Sequence, residues 1–112
     1  MRRKFEAVFC IVNTGFSDSV MDAAKKVGAS GGTVITARGT ANSEAEQLFK
    51  ITVQPEKEIV MMLVPATIKD DVLHALYKEV GLSTAGQGIA FSVPVDKAVG
   101  LAEPPKEEKQ EK

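Results

Sequence analysis

Few residues in this chain are of types that do chemistry, and their spacing narrows the options further. The only cysteine, Cys10, lies in the apolar run Val8-Phe9-Cys10-Ile11-Val12. A reactive thiolate needs a nearby base or cation to lower its pKa; none adjoins Cys10, so a buried, inert thiol is expected. The only histidine, His74, falls at ~100° per residue opposite the stripe Ile68, Val72, Leu76 and reads as a solvated side chain. One histidine, one cysteine and scattered carboxylates give no metal-ligand spacing. No nucleophile and base, and no carboxylate pair, stand out. An enzyme is not expected, and neither is a bound metal or cofactor.

Two features suit the binding of a small anion. Arg38 is the only arginine beyond Arg2 and Arg3, and it ends an extended segment directly before Gly39-Thr40. A guanidinium beside a flexible turn fits a phosphate or carboxylate; an ion pair at a strand edge is an equal reading. The second feature is Gly86-Gln87-Gly88, where glycines would let backbone N–H groups approach an anion closely. This segment precedes a strand and not a helix, so it is no dinucleotide fingerprint, and taken alone it reads as a tight turn.

The elements that must position these residues follow from composition and pattern. The chain has 112 residues, 44% hydrophobic and 26% charged, which fits one globular domain. Fourteen basic and fifteen acidic residues leave a net charge of −1, so no overall field draws it to nucleic acid or an anionic membrane. A single cysteine excludes an internal disulfide framework and fits a reducing compartment. The start, Met1-Arg2-Arg3-Lys4 before an apolar run, imitates a signal peptide, but Glu6 interrupts it and no small-residue cleavage site follows. The run Ile59 to Ala66 is too short to span a bilayer. A cytoplasmic domain over 1–102 is expected. Residues 103–112, EPPKEEKQEK, lack any large apolar side chain and read as a disordered charged tail.

A faint repeat runs through the body. Glu6-Ala-Val-Phe-Cys-Ile-Val-Asn13 resembles Glu58-Ile-Val-Met-Met-Leu-Val-Pro65, and Lys25-Lys-Val-Gly-Ala-Ser30 resembles Lys78-Glu-Val-Gly-Leu-Ser83. Each unit reads strand, helix, strand. Ser17 or Thr14 is a candidate cap for a first helix carrying Val20, Ala23, Ala24 and Val27, with Gly28 at its left-handed C-terminus. Thr67 with Asp70 forms a loose capping box for a second helix, striped by Ile68, Val72, Leu76 and Val80 and ended by Gly81. Strands are expected over Thr33–Arg38 and Ile89–Val95, with an extra strand or loop arm over Leu48–Gln54. The order βαββαβ is the α+β ferredoxin-like arrangement, an antiparallel sheet with two helices on one face.

The first and third strands do not alternate apolar with polar. Phe5, Ala7, Phe9 and Ile11 point one way and Val8, Cys10 and Val12 the other; Ile59, Met61 and Leu63 likewise oppose Val60, Met62 and Val64. Only one face can meet the helices. The second would be an apolar patch larger than monomers tolerate, so an oligomer is expected.

These motifs, in this order, resemble the PII nitrogen-regulatory signalling family across most of residues 4–97. Lys4-Phe-Glu-Ala-Val8 is similar to that family's opening strand. Gly32-Thr33-Val34 followed by Arg38-Gly39 is similar to its Met-Thr-Val…Lys-Gly segment, and Thr84-Ala-Gly-Gln-Gly88 to its Gly-rich B-loop. The resemblance implies a homotrimer with sheets turned inward, adenine-nucleotide effectors in clefts between subunits, and a T-loop that docks on a membrane transporter or metabolic enzyme. By position, Val8, Thr33 and Leu63 would line the adenine pocket. Arg38, Gly39 and Thr40 would stand at the T-loop base, and Gly86, Gln87 and Gly88 near the phosphates. Ala41, Asn42, Ser43, Glu44, Glu46 and Gln47 would form the partner-binding loop.

Three of the family's positive charges are missing: its phosphate-binding lysine is Ile89 here, and its two C-terminal arginines fall at Gly100 and Ala102. Its third-strand glutamate is Met61. AMP, ADP, a cyclic nucleotide or another small anion is therefore expected in preference to ATP. The loop from Thr40 to Gln47 is short and lacks the tyrosine that enzymes modify in the family, since the only tyrosine is Tyr77. Control by uridylylation is not expected. An ACT-like amino-acid-sensing module is the alternative, and a metal-handling trimer resembling copper-tolerance proteins a third reading.

Overall fold

β-Branched and apolar runs set four strands, and two stripes of helical period set two helices that cover one side of them. The computed structural model describes residues 4–40 and 55–100. Within these residues the order is β1 (Phe5–Asn13), α1 (Ser17–Lys26), β2 (Thr33–Arg38), β3 (Glu56–Pro65), a 3-10 turn (Ala66–Ile68), α2 (Lys69–Val80) and β4 (Ile89–Pro94). The sheet runs β2-β3-β1-β4 with every pair antiparallel. This is the expected βαββαβ arrangement. The extra strand over Leu48–Gln54, the T-loop residues 41–47 and the charged tail lie outside the described residues.

Register explains the core. Val8 pairs with Met62 and Cys10 with Val60 across β1 and β3, so their side chains share one face. Together with Val12 and Val64 they are closed off under Val20 and Ala24 of α1 and Val72, Leu76 and Val80 of α2. Each helix contributes the stripe its periodicity announced, including Ile68 and Val27 packed at the margin.

Both helix C-termini follow the sequence and both N-termini depart from it; α2 stops at Val80 with Gly81 as its cap residue. After α1, Gly28 takes φ +115°, its N–H bonds Lys25 O at 3.1 Å, and the Ala29 N–H bonds Ala24 O at 3.1 Å. This is the left-handed Schellman closure that the glycine predicted. Neither expected N-cap forms. Phe16 holds the cap position of α1 and Ile68 that of α2, both without a side-chain bond, in place of Ser17 or Thr14 and of Thr67. The 3-10 turn supplies a backbone acceptor instead, Ala66 O, to the Lys69 N–H. Asp70 makes no cap bond; it places its charge in the first turn of α2 beside Asp71 and pairs with Lys69 at 3.5 Å.

Among the described residues, no helix covers the opposite face of the sheet. Phe9 pairs with Met61 on one side and Phe91 on the other, and the two phenyl rings stack at 5.2 Å. Ile35, Leu63, Ile89, Phe91 and Val93 are all exposed around them. These side chains form the contiguous apolar surface on which the expectation of an oligomer rests.

Candidate functional site

Three chain reversals meet at one end of the sheet. There β1 finishes at Asn13, β2 at Arg38, β3 begins at Glu56, and the turn 84–88 leads into β4. Gly39 N–H donates to Pro55 O at 2.7 Å, which closes the base of the β2–β3 connection. Thr14 N–H donates to Glu56 O at 3.3 Å, and Gly15 N–H to Glu58 Oε1 at 3.3 Å, which fasten the β1–α1 turn to β3.

Arg38 is exposed at this end, and among the described residues no carboxylate lies within ion-pair reach of it. Of the two readings open in the sequence, the strand-edge ion pair is absent there. By strand alternation Arg38 lies on the helix side with its register partner Glu56, whereas Lys57 lies on the open side with Asn13. The Lys57 ammonium donates to a neutral oxygen, Asn13 Oδ1, at 2.7 Å. Two cations thus flank the sheet end, and neither is neutralised by a described carboxylate. An incoming phosphate or carboxylate finds charge there without first breaking an ion pair.

The turn 84–88 is built differently from an open anion cradle. Gly86 N–H donates to Thr84 Oγ1 at 3.3 Å, Gln87 N–H to Thr84 O at 3.0 Å, and Gly88 N–H to Val80 O at 2.6 Å. Thr84 Oγ1 in turn donates to Gly81 O at 2.7 Å. All three amides are engaged, so an anion gains them only if the turn opens.

The remaining residues singled out in the sequence are dispersed. Thr40 and Gly39 stand with Arg38. Thr33 pairs with Met61 and Leu63 with Ala7, placing both on the open face. Val8 is fully buried on the helix side, opposite Leu63. From Ala7 to Asn13 the strand advances about 20 Å, so one protomer does not bring Leu63 to the turn 84–88. Asn13 and Lys57 were not singled out; an asparagine ending the apolar run Ala7–Val12 was the available signal for the first.

Cys10 and His74 sit as expected, the first enclosed and the second exposed. Burial pushes the Cys10 thiol up to about 11. The thiol ionises more readily in the unfolded chain, so stability from this source is complete below pH 9 and is lost as pH rises toward 11. At pH 8 a thiol reagent should label Cys10 at the rate of unfolding, and labelling of the native protein within seconds would contradict its enclosure. The described residues hold no cluster of three or more potential metal ligands, and no helix among them is long and apolar enough to cross a membrane.

No protein-family model matches the chain, and no curated protein matches its sequence. Solved structures do. Arabidopsis thaliana PII, bound to citrate, is similar at 23% identity and TM-score 0.63, over 84% of this chain and 77% of that one. Bacillus subtilis GlnK, in complex with ATP, is similar at 17% and 0.64, over 85% and 84%. A PII-like signalling protein from Thermus thermophilus is similar at 17% and 0.63, over 83% and 87%. The chain has the fold of the PII proteins, as its motifs implied.

Proposed function

We propose that this protein is a PII-like regulatory protein and not an enzyme: a homotrimer that binds a small anionic effector between protomers and controls a partner protein through residues 41–47. The observation that carries this reading is the bare apolar sheet face, in a fold shared with PII proteins. Packing three such faces together removes them from water. It also answers the dispersal of the nucleotide-site residues. Leu63 and the turn 84–88 lie too far apart to serve one ligand within a protomer, but residues from two protomers can share a cleft.

Arg38 is the residue to meet the anion. AMP, ADP or a cyclic nucleotide fits the site better than ATP, because Ile89, Gly100 and Ala102 supply no positive charge where PII proteins carry it. The effector acts by linkage: it shifts the β2–β3 connection only as far as its affinity differs between two states of that segment. The partner is a membrane transporter or a metabolic enzyme.

Calorimetry with AMP, ADP, ATP and cyclic AMP tests the site. At least one should bind below millimolar concentration, and Arg38→Ala should weaken it about tenfold or more, the effect of one charge-assisted contact. No binding in the panel, or full-strength binding by Arg38→Ala, would overturn the assignment.

A further inference from the structure

Asn13 is 4% exposed, and every polar group it carries is engaged. Its N–H donates to Gly86 O at 3.0 Å, and its carbonyl accepts from Phe16 N–H at 3.3 Å. Its Nδ2 donates to Ala85 O at 3.1 Å and to Gln87 Oε1 at 3.3 Å. Its Oδ1 accepts from Lys57 Nζ at 2.7 Å. The Lys57 stem also lies against the backbone of Gly39, where an added Cβ would come within 3.3 Å of Lys57 Cγ and Cε. One buried amide side chain therefore holds the base of the β2–β3 connection with its oxygen and the turn 84–88 with its nitrogen.

We propose that Asn13 is a mechanical coupler: through the chain Lys57–Asn13–Gln87 it makes the base of the β2–β3 connection and the turn 84–88 open and close together. A buried amide cannot release one side without cost, because the donor or acceptor left behind is unsatisfied in a place water does not reach. If Lys57 turns away from Asn13, the carboxamide rotates to recover a partner for Oδ1, and its Nδ2 bonds to Ala85 and Gln87 weaken. Gln87 sits at φ +49°, a left-handed conformation that a non-glycine residue holds only under support from its neighbours. Removal of that support frees the amides of residues 86–88. The coupling does not depend on what the protein binds.

Amide hydrogen exchange on the full chain, resolved by residue, tests it. Lys57→Met should speed exchange at Gly86, Gln87 and Gly88 about fivefold or more, although no hydrogen bond joins Lys57 to any of them. Asn13→Asp keeps the acceptor for Lys57 and loses both Nδ2 donors. It should speed exchange at 86–88 and leave Gly39 unchanged. Lys26→Met, at the exposed end of α1, should change neither. In an Asn13→Ala background, which has neither the acceptor for Lys57 nor the donors for the turn, Lys57→Met should have no further effect on residues 86–88. Exchange at 86–88 within about 1.5-fold of wild type in Lys57→Met would overturn the coupler. So would an acceleration spread evenly over the amides of β1 and β3, which marks general loss of stability.

Discussion

Phe91→Lys should convert the proposed trimer into monomers of 12.0 kDa at micromolar concentration, whereas Tyr77→Lys should leave its mass unchanged. Both side chains are exposed in a single protomer, Tyr77 more so at 70% against 44% for Phe91. Their surroundings decide the difference. Tyr77 stands on α2, at the rim of a groove lined by Leu73, Leu82 and Ala90, so a charge there leaves the uncovered sheet face intact. Phe91 stacks on Phe9 on the uncovered sheet face, midway along the edge strand β4. A lysine at that position would bring one buried ammonium per protomer into the proposed contact. Several kcal/mol per ion is lost to desolvation. Even about 4 kcal/mol raises a dissociation constant about a thousandfold. Because the side chain points away from the core, circular dichroism should show the fold retained. Light scattering decides the matter: Phe91→Lys at the wild-type oligomer mass would show that this face is not the contact, and a wild-type monomer would remove the shared clefts.

The same face shows why so much of the architecture could be read from the chain. In Phe5–Val12 and Ile59–Val64 nearly every position is apolar. Strand geometry alone then assigns half of them to each side of the sheet, and one helical layer can cover only one side. Gly28 was legible for a similarly local reason, since a left-handed residue after an amphipathic stripe favours glycine. The helix starts were not legible. Ser17 and Thr67 have the right chemistry for caps, but the chain enters each helix along a path set by tertiary bonds, Gly15 N–H to Glu58 in one case and a 3-10 turn in the other. The site was readable in part. Arg38 stood out by its rarity, but Lys57 sits among other charges, and its partner Asn13 is 44 residues away. Asn13 reaches Ala85 and Gln87 at separations of 72 and 74 residues. No local pattern encodes such meetings; they exist only once β1 lies between β3 and β4.

The glycines of the turn 84–88 bring out a second limit, and a second large effect. Two glycines before a strand suggest close approach to a ligand, yet Gly88 approaches the protein itself. Its φ is unremarkable; space is the constraint. A Cβ there would come 2.5 Å from Val80 O and 3.0 Å from Val12 Cγ1, a backbone oxygen and a fully buried side chain. Neither can move without disturbing the end of α2 or the core strand, and the Gly88 N–H to Val80 O bond would be strained with them. Gly88→Ala should therefore destabilise the fold by about 2–4 kcal/mol. In a domain of this size that lowers the melting temperature by roughly 10–20 °C at fixed protomer concentration. Gly31→Ala, where nothing lies within 4 Å of the added carbon, is the reference and should shift it by no more than about 3 °C. Gly86→Ala should fall between, since its new contacts are side-chain carbons at 3.2–3.4 Å. This ranking separates two roles for the motif. If Gly88→Ala melts with the wild type but loses effector binding, the glycine is there for the ligand. The packing around Val80 and Val12 predicts the reverse: the fold itself requires a residue without a side chain at this position, whatever occupies the cleft.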